Sequence, residues 1–147
     1  MAIAYGFSVN QCLVQYLHLR SVTISNEEVD ILADSFEDYL YLLHLDLSQN
    51  RIEGTRGGAA ITRILARKPH LKGGQEILHL NISNNKLGSG GLATIVQYLI
   101  TDDSHEDLTL NVGYNGIEEI RLLTAIDSSS DKIFNVKNLI LDGNLFR

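Results

Sequence analysis

An eleven-residue pattern occurs twice, nearly unchanged, and it constrains this chain more than any bulk property. Residues 42–52 read LLHLDLSQNRI and residues 77–87 read ILHLNISNNKL, so both fit L-x-x-L-x-L-x-x-N-x-L with aliphatic residues at the L positions. Leu45 and Leu47, like Leu80 and Ile82, alternate with polar neighbours, which is the period of a short strand with one buried face. An asparagine, Asn50 or Asn85, closes each strand. The aliphatic residue two places on, Ile52 or Leu87, turns back beneath it. A unit this small cannot bury its own apolar face, so such units have to stack on one another.

Weaker copies extend the array in both directions. In the first, Leu17, Leu19 and Ile24 hold the pattern positions and Val22 replaces the asparagine. In the fourth, Leu110, Val112, Asn115 and Ile117 hold them; in the fifth, Leu139, Leu141, Asn144 and Phe146. The first strand leucines, Leu17, Leu45, Leu80, Leu110 and Leu139, are spaced by 28, 35, 30 and 29 residues. Helical spacing fills the intervals. Ser25 followed by Glu28 is a capping box, and Val29, Leu32, Ala33, Phe36 and Leu40 then predict an amphipathic helix over residues 26–38. Its acidic outer face (Glu27, Asp30, Asp34, Glu37 and Asp38) reads as solvated. A glycine-rich lead-in, Gly54 to Gly58, precedes a second helix over 59–66, which Pro69 stops. A third helix is expected over 90–100 and a fourth from about Glu118 to Ile126. The whole chain, 1–147, reads as a single α/β domain. Residues 1–12 form an N-terminal cap, repeats start near 14, 42, 77, 107 and 136, and the last repeat lacks its helix.

These residues resemble the leucine-rich repeat family, and its ribonuclease-inhibitor-like subtype in particular. The repeat length, the full helices and the helix starts Gly57-Gly58-Ala59-Ala60 and Gly90-Gly91-Leu92-Ala93 carry the resemblance over residues 13 to 147. It implies a curved solenoid of about five repeats, with a parallel sheet lining the concave face and helices on the convex face. It also implies a structural ladder of Asn50, Asn85, Asn115 and Asn144, whose amides satisfy backbone groups where the strands turn. The scaffold itself does not dictate a function.

Charge and composition exclude some roles. A net charge of −6 argues against non-specific nucleic-acid binding, which needs a basic face. No apolar run reaches the roughly 20 residues of a membrane span, and the N-terminus lacks the basic start of a signal peptide. The single cysteine, Cys12, cannot form an internal disulfide, which favours a cytoplasmic location. The basic loop with Arg67, Lys68, His70 and Lys72 reads as solvated, with anion binding as the sharper alternative.

The period of two places the residues between the buried leucines on the concave face. One row across the sheet is Tyr16, His44, His79, Thr109 and Asn138; the next is His18, Asp46, Asn81, Asn111 and Ile140. Arg20, Ser48 and Tyr114 complete the candidate contact surface. Adjacent histidines beside Asp46 suggest a metal or acid–base site, but side chains standing parallel from a sheet do not converge as about three zinc ligands must. Ser48, His79 and Asp46 can be written as a triad, yet no nucleophile elbow surrounds Ser48. The glycine runs lack the lysine of a phosphate-binding loop. No metal, cofactor or catalytic residue is therefore expected. The leading expectation is a non-enzymatic module that binds a protein partner on its concave face, with a pH-sensitive contact at the histidines. The alternatives are a regulator such as a GTPase-activating protein, with Arg20 or Arg51 supplying charge, or a repeat domain of a larger or secreted effector acting in a host-cell cytoplasm. With nothing following Phe146 to cover the last repeat, end-to-end self-association or a fragment is expected.

Overall fold

A computed structural model describes residues 14–36, 41–66, 76–118 and 136–146. The expected N-terminal cap, Cys12, the basic loop and the fourth helix lie outside the described residues.

Five three-residue strands form one parallel sheet in sequential order: β1 (Tyr16–His18), β2 (His44–Asp46), β3 (His79–Asn81), β4 (Thr109–Asn111) and β5 (Asn138–Ile140). Burial alternates along β1 to β4 as the sequence pattern requires, while in β5 Leu139 and Ile140 are both half-buried. The central Leu45, Leu80 and Leu110 are buried, and Leu17 and Leu139 at the sheet edges are partly so. The register pairs every central leucine with the next, Leu17 to Leu45 to Leu80 to Leu110 to Leu139. A crossover returns the chain to the same end of the sheet each time, which is what parallel pairing demands.

Three α-helices are described: α1 (Asn26–Phe36), α2 (Gly54–Leu65) and α3 (Gly88–Thr101), with a single 3-10 turn at Asp103–His105. Ser25 starts α1 as the capping pattern predicts. Its N–H donates to Glu28 Oε2 at 2.7 Å and its hydroxyl donates to the same oxygen. These bonds hold the Glu28 carboxyl below its ordinary pKa. The helices present Val29, Leu32 and Phe36, then Ile61, Ile64 and Leu65, then Leu92, Ile95 and Leu99 to the sheet. Between the layers lie Leu47, Ile52, Ile82, Leu87, Val112 and Ile117, all buried. Each such side chain contributes about 1.5–3 kcal/mol by leaving water.

The helix starts differ from the sequence reading. α2 begins at Gly54 and α3 at Gly88, so the glycine runs are the first turns of the helices rather than lead-ins to them. The reason is contact between neighbouring helices. A Cβ on Gly58 would stand 2.4 Å from the carbonyl oxygen of Gly91, and one on Gly91 would stand 2.6 Å from the carbonyl oxygen of Gly54. Three acidic residues of α1 also have partners on α2. Arg63 of α2 bonds Asp30 at 2.7 Å and also reaches Asp34, while Arg56 lies 3.4 Å from Glu27. Exposed pairs of this kind contribute roughly 0–1 kcal/mol each.

The four asparagines occupy the turns after β2, β3, β4 and β5 and are buried or half-buried. Asn50 Oδ1 accepts from the N–H groups of Val22 (3.1 Å) and Ile24 (2.9 Å), and Nδ2 donates to the carbonyls of Leu19, Leu47 and Ser48. Asn85 Oδ1 accepts from Ile52 N–H at 3.0 Å, Asn115 Oδ1 from Leu87 N–H at 3.1 Å, and Asn144 Oδ1 from the N–H groups of Asn115 (2.8 Å) and Ile117 (3.2 Å). Each side chain thus ties its own turn to the unit before it. Val22, where the pattern has no asparagine, is served by Asn50 of the next unit.

Candidate binding face

The face of the sheet turned away from the helices carries the residues that flank each central leucine. Register sets them in two rows, Tyr16–His44–His79–Thr109–Asn138 and His18–Asp46–Asn81–Asn111–Ile140. Both rows agree with the order deduced from the leucine pattern.

Three rings in the first row stack. Tyr16 and His44 have centroids 4.3 Å apart and planes 14° from parallel; His44 and His79 are 4.4 Å apart and 10° from parallel. Their spacing follows that of the strands beneath, about 4.8 Å. Stacked in this way, the rings cover one another's faces and turn their edges outward. Ring nitrogens coordinate metals within the ring plane, and two nearly parallel planes cannot meet at one ion. His44 and His79 are therefore not a metal-ligand pair in this arrangement. Among the described residues no group of three or more His, Cys, Asp or Glu is placed to hold a metal ion.

In the second row, β2, β3 and β4 each end with a local turn. Asp46 Oδ1 accepts the N–H of Ser48 at 2.8 Å, Asn81 Oδ1 that of Ser83 at 3.1 Å, and Asn111 Oδ1 that of Gly113 at 3.0 Å. The other oxygen of Asp46 lies 3.9 Å from His18 Nδ1. Between the rows runs a shallow groove of about 250 Å³, lined by His18, Asp46, His79, Asn81, Thr109 and Ile140 among others.

Two of the remaining candidates diverge. Ser48 is only 3% exposed, because the turn that holds its N–H draws the side chain under the rim; it offers no contact surface and no nucleophile. Tyr114 is 60% exposed at the rim with φ of 55°, a left-handed conformation that costs a bulky residue. Ser21, Gln49, Asn84 and Gly143 adopt the same conformation four residues after their own central leucines. The Tyr114 ring lies against Gly143, where a Cβ would come within 2.2 Å of Cε1. Arg20 is exposed at the β1 end. Arg51 stands by the first turn of α1, where its charge acts on Glu28, and is not part of this face.

A second polar cluster lies where the sequence suggests only a loop. His105 is 3% exposed. Its Nδ1 is 3.5 Å from Glu76 Oε2, and its Nε2 is 3.3 Å from the hydroxyl of Tyr98, which donates to Asp102 Oδ2 at 2.8 Å. Burial, then the Asp102 carboxylate, raises the Tyr98 pKa. Tyr98 and Asp102 stand one helical turn apart, and that spacing was the available signal.

His44 has its pKa lowered from the ordinary 6.5, first by withdrawal from water and then by repulsion from His79 and His18. The folded chain consequently holds that proton less tightly than the unfolded chain. Stability contributed by neutral His44 is complete above about pH 6.5 and is lost as pH falls through that value towards the folded-state pKa. Urea midpoints at pH 7.5 and 5.5 are expected to differ by more in the wild type than in His44→Gln. Equal differences in the two proteins count against strain within the stack.

No helix of the described residues is long and apolar enough to cross a membrane. No protein-family model matches the chain, and no curated protein does. Among solved structures, the chain is similar to one described as leiomodin-1 actin-binding site 2, with a TM-score of 0.72 at 17% identity, over 96% of this chain and 76% of that one. At that identity the likeness shows a shared α/β fold built on a parallel sheet.

Proposed function

We propose that this chain is a non-enzymatic protein-interaction module, a leucine-rich-repeat solenoid whose concave sheet face grips a partner. The observation that carries this reading is the ring stack of Tyr16, His44 and His79. Three flat side chains are already ordered by one another, so little rotamer entropy is left to lose on contact. Their outward edges and the adjoining groove offer polar groups whose bonding is unfinished. Tyr114, 60% exposed, extends the surface at the rim with an aromatic side chain of the kind that anchors interfaces. The similar fold in a domain named for binding actin supports the use of such a scaffold to hold a protein.

Capture from cell lysate with the wild type and with a His44/Asp46/His79 triple alanine variant tests the placement. Partners retained by the wild type are expected to be lost or depleted by at least tenfold in the variant. Equal recovery of every partner, with the variant still folded by circular dichroism, would remove the binding site from this face.

A further inference from the structure

The hydrogen bonds that end β3 and β4 decide which way two amides point. In Asn81 and Asn111 the side-chain oxygen is committed to the backbone N–H two residues on, at 3.1 and 3.0 Å. The Nδ2 group is therefore the free end of each side chain, and neither has an acceptor among the described residues. Asn81 and Asn111 are cross-strand partners, so the two donors stand side by side over the groove. Thr109 and His79, the facing pair in the next row, border the same spot. The Thr109 oxygen accepts from Asn138 Nδ2 at 3.2 Å, which leaves its O–H free to donate. The neutral His79 ring brings one N–H donor and one acceptor nitrogen in its edge. Around β3 and β4 the face thus presents two amide donors and a hydroxyl side by side, with the Asp46 carboxylate at the border on β2.

We propose that this donor cluster receives an acidic side chain, the carboxylate of an aspartate or glutamate on an extended segment of a protein partner. The inference rests on the reading of this face as a protein-binding surface and specifies the chemistry of what binds. A carboxylate accepts several N–H and O–H bonds at once, and bonds to a charged acceptor are roughly twice as strong as neutral ones. Glu27, Asp30 and Asp34 lie on α1, on the other side of the sheet from this face, and pair with Arg56 and Arg63. The titratable and charged groups that share the face are Tyr16, His18, Arg20, His44, Asp46, His79 and Asp142. Of these, Asp46 is the immediate competitor. It occupies the position of Asn81 on the neighbouring strand, so it repels an incoming carboxylate from one side.

The β2 strand supplies a control. Asp46 makes the same strand-ending turn at 2.8 Å that Asn81 and Asn111 make. Asn81→Asp and Asn111→Asp should therefore keep the fold while replacing both donors by acceptors. The probe is a fluorescent hexapeptide alternating glutamate and threonine, with glutamine and lysine counterparts, measured by anisotropy. Expected are binding of the glutamate peptide in preference to the other two, at least tenfold loss in the Asn81→Asp/Asn111→Asp double variant with an unchanged melt, and several-fold tightening in Asp46→Asn. Equal or better binding of the lysine or glutamine peptide at this face overturns the acidic assignment and leaves the interaction module standing. Binding of the glutamate peptide that is indifferent to the double variant overturns the placement on Asn81 and Asn111. Absence of binding by all three peptides overturns the inference, and the lysate capture then decides the fate of the module itself.

Discussion

Replacing Asn85 with leucine is expected to lower the melting temperature by roughly 10 °C, although the change adds apolar surface to the core. The cost follows from the bonds. Asn85 Nδ2 donates to the carbonyls of Leu47, Ile82 and Ser83 at 3.0, 3.0 and 3.2 Å. Those three oxygens keep second donors: Asn50 Nδ2, Asn115 Nδ2 and Gln49 N–H. Ile52 N–H has no such reserve. It is served by Asn85 Oδ1 alone and sits in a fully buried residue. An orphaned buried N–H costs about 1–3 kcal/mol, and the three weakened carbonyls add to it. Leucine also has to fit a slot shaped for a flat amide. The sum is about 3 kcal/mol, each kcal/mol being worth about 2–4 °C in a domain of this size. A variant that melts with the wild type would show that the amide is dispensable.

Alanine at Gly58 is expected to destabilise by about 2 kcal/mol, within the range for overpacking a close contact. The added carbon would meet the Gly91 carbonyl at 2.4 Å, and that oxygen belongs to the backbone of α3, so it cannot swing aside. The two helices have to separate. Alanine at Gly91 should cost a similar amount, for it meets the Gly54 carbonyl at 2.6 Å. Gly90 is the contrast. It lies one residue away in the same helix, and its nearest neighbour would be a Thr55 methyl at 3.4 Å. Alanine there should stabilise by about 0.5–1 kcal/mol through lower unfolded-state entropy. Chemical denaturation of the three variants checks the ordering. If Gly58→Ala is as stable as Gly90→Ala, the helix contact does not dictate the glycine. The double variant should fall short of additivity, because both changes force the same helices apart.

Much of the fold was legible because leucines every second residue determine a strand's register. A slip by one would turn Leu45 and Leu80 to solvent, so the partners of His44 and Asp46 follow from the core alone. The asparagine turns were expected from the resemblance to leucine-rich repeats, and their recurrence at a fixed place in each apolar unit marked where to look. The helix starts were not legible. A glycine announces that something comes close, without saying what, and the approach of α3 to Gly58 is a tertiary fact. In the candidate site, the two rows could be written from the pattern, but the ring planes could not, since stacking depends on rotamers. The withdrawal of Ser48 and the outward amides of Asn81 and Asn111 depend on bonds to the backbone two residues on. The Tyr98–Asp102 spacing marked a polar pair at the end of α3, but the enclosure of His105 beside it depends on tertiary packing.

The asparagine ladder also gives the array a direction. Each amide oxygen reaches back to a turn in the preceding unit, Asn50 to Ile24, Asn85 to Ile52, Asn115 to Leu87, Asn144 to Ile117. Suppose the units are removed one at a time. Trimming from the N-terminal side leaves the first surviving asparagine with the carbonyls of its own turn, as Asn50 keeps those of Leu47 and Ser48. Trimming from the C-terminal side strips the last surviving unit of the side chain that organised its exit. The two ends of such a stack are therefore unequal: one carries its own fastening, and the other borrows it from whatever comes next.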